Sequence, residues 1–238
     1  MADSTTVREP QPGADLPDAR GRTGLHRTGL DLTGNPRVQV TDVELVAAAW
    51  HVLRRTTLRV QDRSGAWSTQ QRETYDRGNG ATILLYHGDS RKVLLTRQFR
   101  YPAYVNGHPT GELIETAAGL LDDDDPETAV AREAREETGF AVEAVQHVFD
   151  AFMSPGSVTE RLHFYAAEYD PAARRGDWGG LAEEGEEIEL LELDIDDAVA
   201  RIGDDIIDAK TIMLLQWARL SGPFATATTP VPPAPPAR

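Results

Sequence analysis

The chain of 238 residues carries 24 lysines and arginines against 39 aspartates and glutamates, a net charge of −15, with 40% hydrophobic and 26% charged residues. That is the balance of a globular protein long enough to bury a sizeable core, and its acidity excludes a nucleic-acid groove built on bulk positive charge. The absence of cysteine excludes disulfides, thiolate-held metals and cysteine nucleophiles.

Residues 1–36 and 223–238 hold 10 of the 15 prolines, so disordered tails are expected over 1–36 and 222–238. The first thirty residues contain acids and no apolar run, which predicts no secretory signal and a cytoplasmic location. Residues 50–60 and 68–75 alternate β-branched or aromatic with polar residues about a turn at 62–65, a hairpin pattern. Residues 81–86 and 92–96 form a second, more apolar pair about a His-Gly-Asp-Ser turn. Even these runs are too short to cross a bilayer, so no membrane partner is expected. Further strands are predicted at 111–115, 144–152, 162–169 and 188–193, and helices at 126–138 and 206–220, with 194–202 as a candidate third. Strands in mixed order with few helices point to an α+β fold and against a doubly wound nucleotide fold.

The helix at 126–138 is marked at both ends. Asp125 suits the N-cap, Pro126 the first helical position and Gly139 the C-terminal stop. Glu133, Glu136 and Glu137 share one face, while Ala129, Val130 and Ala134 occupy another that can pack on a sheet. Like charges at that spacing repel unless a cation sits among them. A hard divalent ion such as Mg²⁺ removes the conflict and binds phosphate oxygens at the same time. A solvated acidic face is the alternative, and for three glutamates alone the commoner one. Arg132, four residues before Glu136, is spaced to hydrogen-bond it.

Residues 132–140, Arg-Glu-Ala-Arg-Glu-Glu-Thr-Gly-Phe, match the second half of the Nudix box at every fixed position. The first half departs from it. Gly119 stands thirteen residues before Arg132, one fewer than usual, and Asp124 replaces a glutamate. Outside the box lie Arg72-Glu73, Tyr75-Asp76-Arg77-Gly78-Asn79-Gly80, Arg97-Gln98-Phe99-Arg100, Val105-Asn106-Gly107, Leu113-Ile114-Glu115, Ala118-Gly119-Leu120-Leu121-Asp122, Met153-Ser154-Pro155-Gly156 and Val158-Thr159-Glu160. With these the chain, over residues 45–220, resembles the GDP-mannose pyrophosphatase (NudK-type) branch of the Nudix superfamily, which shares the shortened box loop.

The resemblance implies an α/β/α sandwich with a mixed sheet at 79–221, the hydrolase domain, and a small β-rich dimerisation region at 37–78. It implies a domain-swapped homodimer whose N-terminal strands reach into the partner's site. The implied reaction is hydrolysis of a nucleoside diphosphate sugar, GDP-mannose to GMP and mannose 1-phosphate, with Mg²⁺, for which Mn²⁺ can substitute. Carried over by position, the Ala118 carbonyl, Glu133 and Glu137 bind metal, with Glu136 helping to hold the cations. Glu186 is a further ligand or the base, and Arg72, Glu73, Arg100, Glu160 and Lys210 contact substrate. Trp50 falls where the family has a tyrosine near the guanine.

Blander readings stand beside these. Arg72 and Arg100 can pair with surface acids, although arginine clamps a diphosphate well. Trp50 divides evenly between core and site. Lys210, at the start of an apolar helix, can be solvated. His108, His147 and His163 lack ligand spacing and read as structural. Either Glu160 or Glu186 takes the water's proton. Two rival functions remain. One is an ADP-ribose pyrophosphatase, because Pro155 stands fifteen residues after Phe140, a feature resembling that subgroup. The other is a non-catalytic nucleotide sensor, whose signature would be loss of the box glutamates.

Overall fold

The computed structural model describes residues 34–121, 124–142, 144–173 and 187–225. The expected tails therefore lie outside the described residues up to 33 and from 226. The chain divides into two units: residues through Asn79 joined by Phe152–Arg161, and Gly80–Ala151 joined by the chain from Leu162.

In the first unit β1 (Val38–Ala48), β2 (Val52–Gln61) and β3 (Trp67–Asp76) form an antiparallel sheet in that order. The hairpin turn closes on Asp62, whose Oδ1 accepts from Ser64 N at 2.8 Å, Ser64 Oγ at 2.6 Å and Ala66 N at 3.0 Å, with Gly65 at φ 92°. Strand β1 was not expected. It is exposed along most of its length and breaks register twice against β2, so its sequence shows no clean alternation. Trp50 lies in the bend before β2 and is 70% exposed, which removes it from the core of this unit. The buried centre is an ion pair, Arg54 to Asp76 at 2.8 Å, with side chains 1% and 5% exposed. The returning segment joins this sheet: Tyr75 N donates to Ser157 O, and Thr159 Oγ1 donates to Asp76 Oδ1.

The second unit is built on a mixed sheet ordered β10 (Glu189–Asp194), β5 (Lys92–Phe99), β4 (Gly80–His87), β9 (Arg161–Glu168) and β8 (Gln146–Phe152). β4 runs parallel to β9 and antiparallel to β5; β6 (Glu112–Glu115) adds to β5 and β7 (Ala117–Leu120) to β4. A central strand buried on both faces should be apolar throughout, and Ala81 to Leu85 are all buried. Alternation then assigns the layers. Ala81, Ile83 and Leu85 pack with Val130, Ala134 and Phe140 around α2 (Pro126–Thr138). Thr82, on the other face, bonds Thr116, which bonds Thr211 of α4 (Ala209–Leu220). The result is the expected α/β/α sandwich, with α3 (Ile195–Ala200) against α4.

Both ends of α2 form as predicted. Asp125 accepts from Glu127 N and Thr128 N at 3.1 Å, Pro126 opens the helix, and Gly139 ends it at φ 75°. α4 starts at Ala209 rather than 206 because Asp208 caps it, accepting from Thr211 N at 3.0 Å. A short helix, α1 (Tyr101–Val105), was not expected. The ordered chain also runs past 221, since Phe224 is 2% exposed and rings Tyr86 edge-on. No described helix is long and apolar enough to cross a membrane.

Candidate active site

The carboxylates of α2 do not all look the same way. Glu137 is 3% exposed and the Glu133 side chain 14%, while Glu136 stays at the rim with 33%. Glu133 is seated directly on β7: a Cβ at Gly119 would overlap its carboxylate, with Oε2 only 2.6 Å away. Gly119 thus leaves the space that the Glu133 carboxylate occupies, and its dihedral angles do not call for glycine; it follows Ala118, whose carbonyl is the expected backbone ligand. Arg132 supplies local positive charge, reaching Glu133 at 2.9 Å, Glu136 at 3.4 Å and Asp124 at 3.5 Å. The bond foreseen to Glu136 therefore forms, but it is longer than the contact to Glu133. Two inward carboxylates and a carbonyl at a strand with no intervening Cβ make an oxygen-only donor set, which fits a hard divalent cation.

Across the sheet, Glu115 at the end of β6 is buried and holds two of the expected substrate residues. Arg100 Nε donates to its Oε2 at 2.6 Å, and Lys210 Nζ to its Oε1 at 2.5 Å. Lys210 also reaches Asp208 at 3.0 Å. Burial works against both cations, but Glu115 and Asp208 outweigh it and hold each above its ordinary pKa; for Arg100 the Glu137 carboxylate adds to the effect. Lys210 is therefore neither a solvated residue nor a free one. The resemblance implies no role for Glu115, and the only sign of it in the sequence is a charged residue at the inward end of a short strand. An open cleft of about 500 Å³ lies along the β5, β6 and β10 side, lined in part by Arg97, Phe99, Glu112 and Glu187.

The remaining expected residues belong to the first unit. Glu160 is 9% exposed and lies 3.5 Å from Arg77. Glu73 pairs with Arg55 at 2.9 Å. Arg72 donates to Gln71 O and to Gln70 Oε1, both within its own strand. Arg72 and Glu73 line an open cleft of about 620 Å³ with Phe152, Pro155 and Val158. Glu186 lies outside the described residues.

Matches to known proteins meet at residue 76. Residues 37–75 match the GDP-mannose pyrophosphatase NudK N-terminal domain, and residues 76–215 the NUDIX domain. A GDP-mannose pyrophosphatase of Pectobacterium atrosepticum is 50% identical over 189 residues, covering 79% of this chain and 97% of that one. One from Yersinia enterocolitica is 52% identical over 180 residues, covering 75% and 93%. The crystal structure of an ADP compounds hydrolase superposes with a TM-score of 0.56 at 17% identity, covering 76% of this chain and 94% of that one, which is a likeness of fold. With both domains matched and half of the residues shared over almost the full length of such relatives, the chain belongs to the Nudix hydrolases, in the family of the GDP-mannose pyrophosphatases.

Proposed function

We propose that the protein hydrolyses the diphosphate of GDP-mannose to GMP and mannose 1-phosphate in a Mg²⁺-dependent reaction. The observation that carries this reading is the seating of Glu133 against Gly119, in a chain half identical to GDP-mannose pyrophosphatases along nearly their whole length. The Ala118 carbonyl, Glu133 and Glu137 hold the ion, with Glu136 at the rim and Glu186 as a further ligand or the base. A bound Mg²⁺ neutralises diphosphate charge and makes water more acidic. Glu160 or Glu186 takes the proton as the water oxygen bonds to one phosphorus and the bridging P–O bond breaks.

Arg100 supports substrate binding. It gives Nε to Glu115 and makes no hydrogen bond through its terminal nitrogens to any described residue, which leaves a fork suited to phosphate. Lys210 adds charge beside it, Arg72 supports the diphosphate, Glu73 contacts the substrate, and Trp50 serves the base. The exposed Leu45, Val46, Trp50 and Tyr75 of the first unit support a homodimer. An acidic chain without cysteine fits a cytoplasmic enzyme.

The test is incubation of the metal-stripped protein with GDP-mannose, ADP-ribose and other nucleoside diphosphate sugars, with and without Mg²⁺, and identification of products by mass spectrometry. GMP and mannose 1-phosphate, formed only with metal, are expected. Faster turnover of ADP-ribose would move the protein to the other substrate class, and no turnover of any sugar nucleotide would refute the hydrolase reading.

A further inference from the structure

Two histidines that lack ligand spacing in the sequence meet in the second unit. His147 and Asp150 lie on β8 and His163 on the neighbouring β9, sixteen residues from His147 along the chain. His147 Nε2 and His163 Nδ1 each stand 2.8 Å from the same oxygen, Asp150 Oδ1. The three side chains offer one ligand atom each, all within 4.8 Å of one another. His163 is 8% exposed and fixed on a buried strand, and His147 packs edge-on against the Tyr165 ring at 5.3 Å. The His147 side chain is 51% exposed and that of Asp150 33%, so the open side faces solvent.

We propose that His147, Asp150 and His163 form a second cation site, selective for a borderline divalent ion of the zinc class. It shares no ligand with the glutamates of α2. A four-coordinate ion with bonds of about 2.0–2.1 Å spaces its ligand atoms roughly 3.3 Å apart. The set reaches that spacing if the rings draw back slightly from the carboxylate and toward each other. For the metal to take the lone pairs of His147 Nε2 and His163 Nδ1, the hydrogen bonds these nitrogens donate to Asp150 Oδ1 break and each neutral ring gives up that proton to solvent while its other nitrogen takes one up, so the net proton count is unchanged. Asp150 contributes one negative charge, and water fills the open fourth position. Two imidazoles with one carboxylate favour zinc, cobalt or nickel over magnesium, which prefers oxygen ligands. Bound there, the ion ties two neighbouring strands of the sheet.

The experiment uses the full chain without an appended histidine tag, stripped of metal, and measures Zn²⁺ binding by competition with a chromophoric chelator. A Glu133→Gln, Glu137→Gln double variant separates this site from the one proposed for Mg²⁺. That variant is expected to keep one tight zinc equivalent and to gain a few degrees in melting temperature when zinc is added. Adding His147→Gln should weaken binding at least tenfold and remove the thermal gain; because His147 is exposed, this variant tests the site even if His163→Gln does not fold. Zinc binding unaltered by His147→Gln, or no zinc bound by the double variant, would overturn the proposal. Neither result bears on GDP-mannose turnover, which is read separately.

Discussion

Glu133 reaches the strand because residue 119 has no side chain, and Glu137 is inside because, contrary to the expected separation of the acidic face from the apolar one, it stands one turn after Ala134 and two after Val130 on the buried side of the helix. Replacing Gly119 by Ala puts a methyl where the carboxylate sits. The ligand must then shift by about an ångström, a displacement that costs on the order of 10²-fold in turnover. Steady-state kinetics with a Mg²⁺ titration should show a lower kcat and a weaker metal requirement curve, with little change in the far-ultraviolet circular dichroism. Glu137→Gln keeps the shape and removes the charge. Turnover should fall by about 10²-fold or more while the melting curve stays cooperative; near-normal kcat would remove Glu137 from the metal site. Trp50 shows the converse lesson, because a large ring in a strand-like run proved to be an exposed bend residue.

At the scale of the element, α2 was legible because its signals are local. An N-cap, a proline at the first position and a glycine at the end act through contacts within four residues. Thr128 Oγ–H and the backbone N–H groups hold the Asp125 carboxyl below its ordinary value of 3.8. A depressed folded pKa means that this capping is fully present above that value and is lost as pH falls through the lower, folded one. Asp125→Ala should therefore lower the melting temperature at neutral pH, and Asp125→Asn should keep the cap while removing its loss in acid; melting curves from about pH 2 to about pH 5, which bracket the ordinary range of an aspartate, check both. β1 was illegible for the opposite reason, since two register breaks and an exposed face erase the period of two. In the same sheet, Asp76→Ala breaks a buried ion pair with Arg54. Such a loss costs about 3–5 kcal/mol, measurable as a lowered midpoint in urea.

For the molecule as a whole, an anionic substrate must be met by a chain of net charge −15, so cations have to be concentrated locally: Arg132 among the glutamates, Arg100 and Lys210 on Glu115. Light scattering on the eluting protein should give twice the mass of one chain, and Trp50→Glu should shift it toward one if the exposed apolar face of the first unit joins two copies. A monomeric wild type would exclude the swapped arrangement. The sequence by itself determined what depends on near neighbours: the capped helix, its acidic spacing, the apolar central strands and the family they resemble. Only the tertiary structure decided which carboxylate turns inward, that Lys210 and Arg100 are gripped by Glu115, and that His147 and His163 converge on Asp150. Those contacts join residues from 13 to 95 positions apart, apart from the short step from His147 to Asp150, and sheet pairing brings such residues together without leaving any spacing in the chain to announce it.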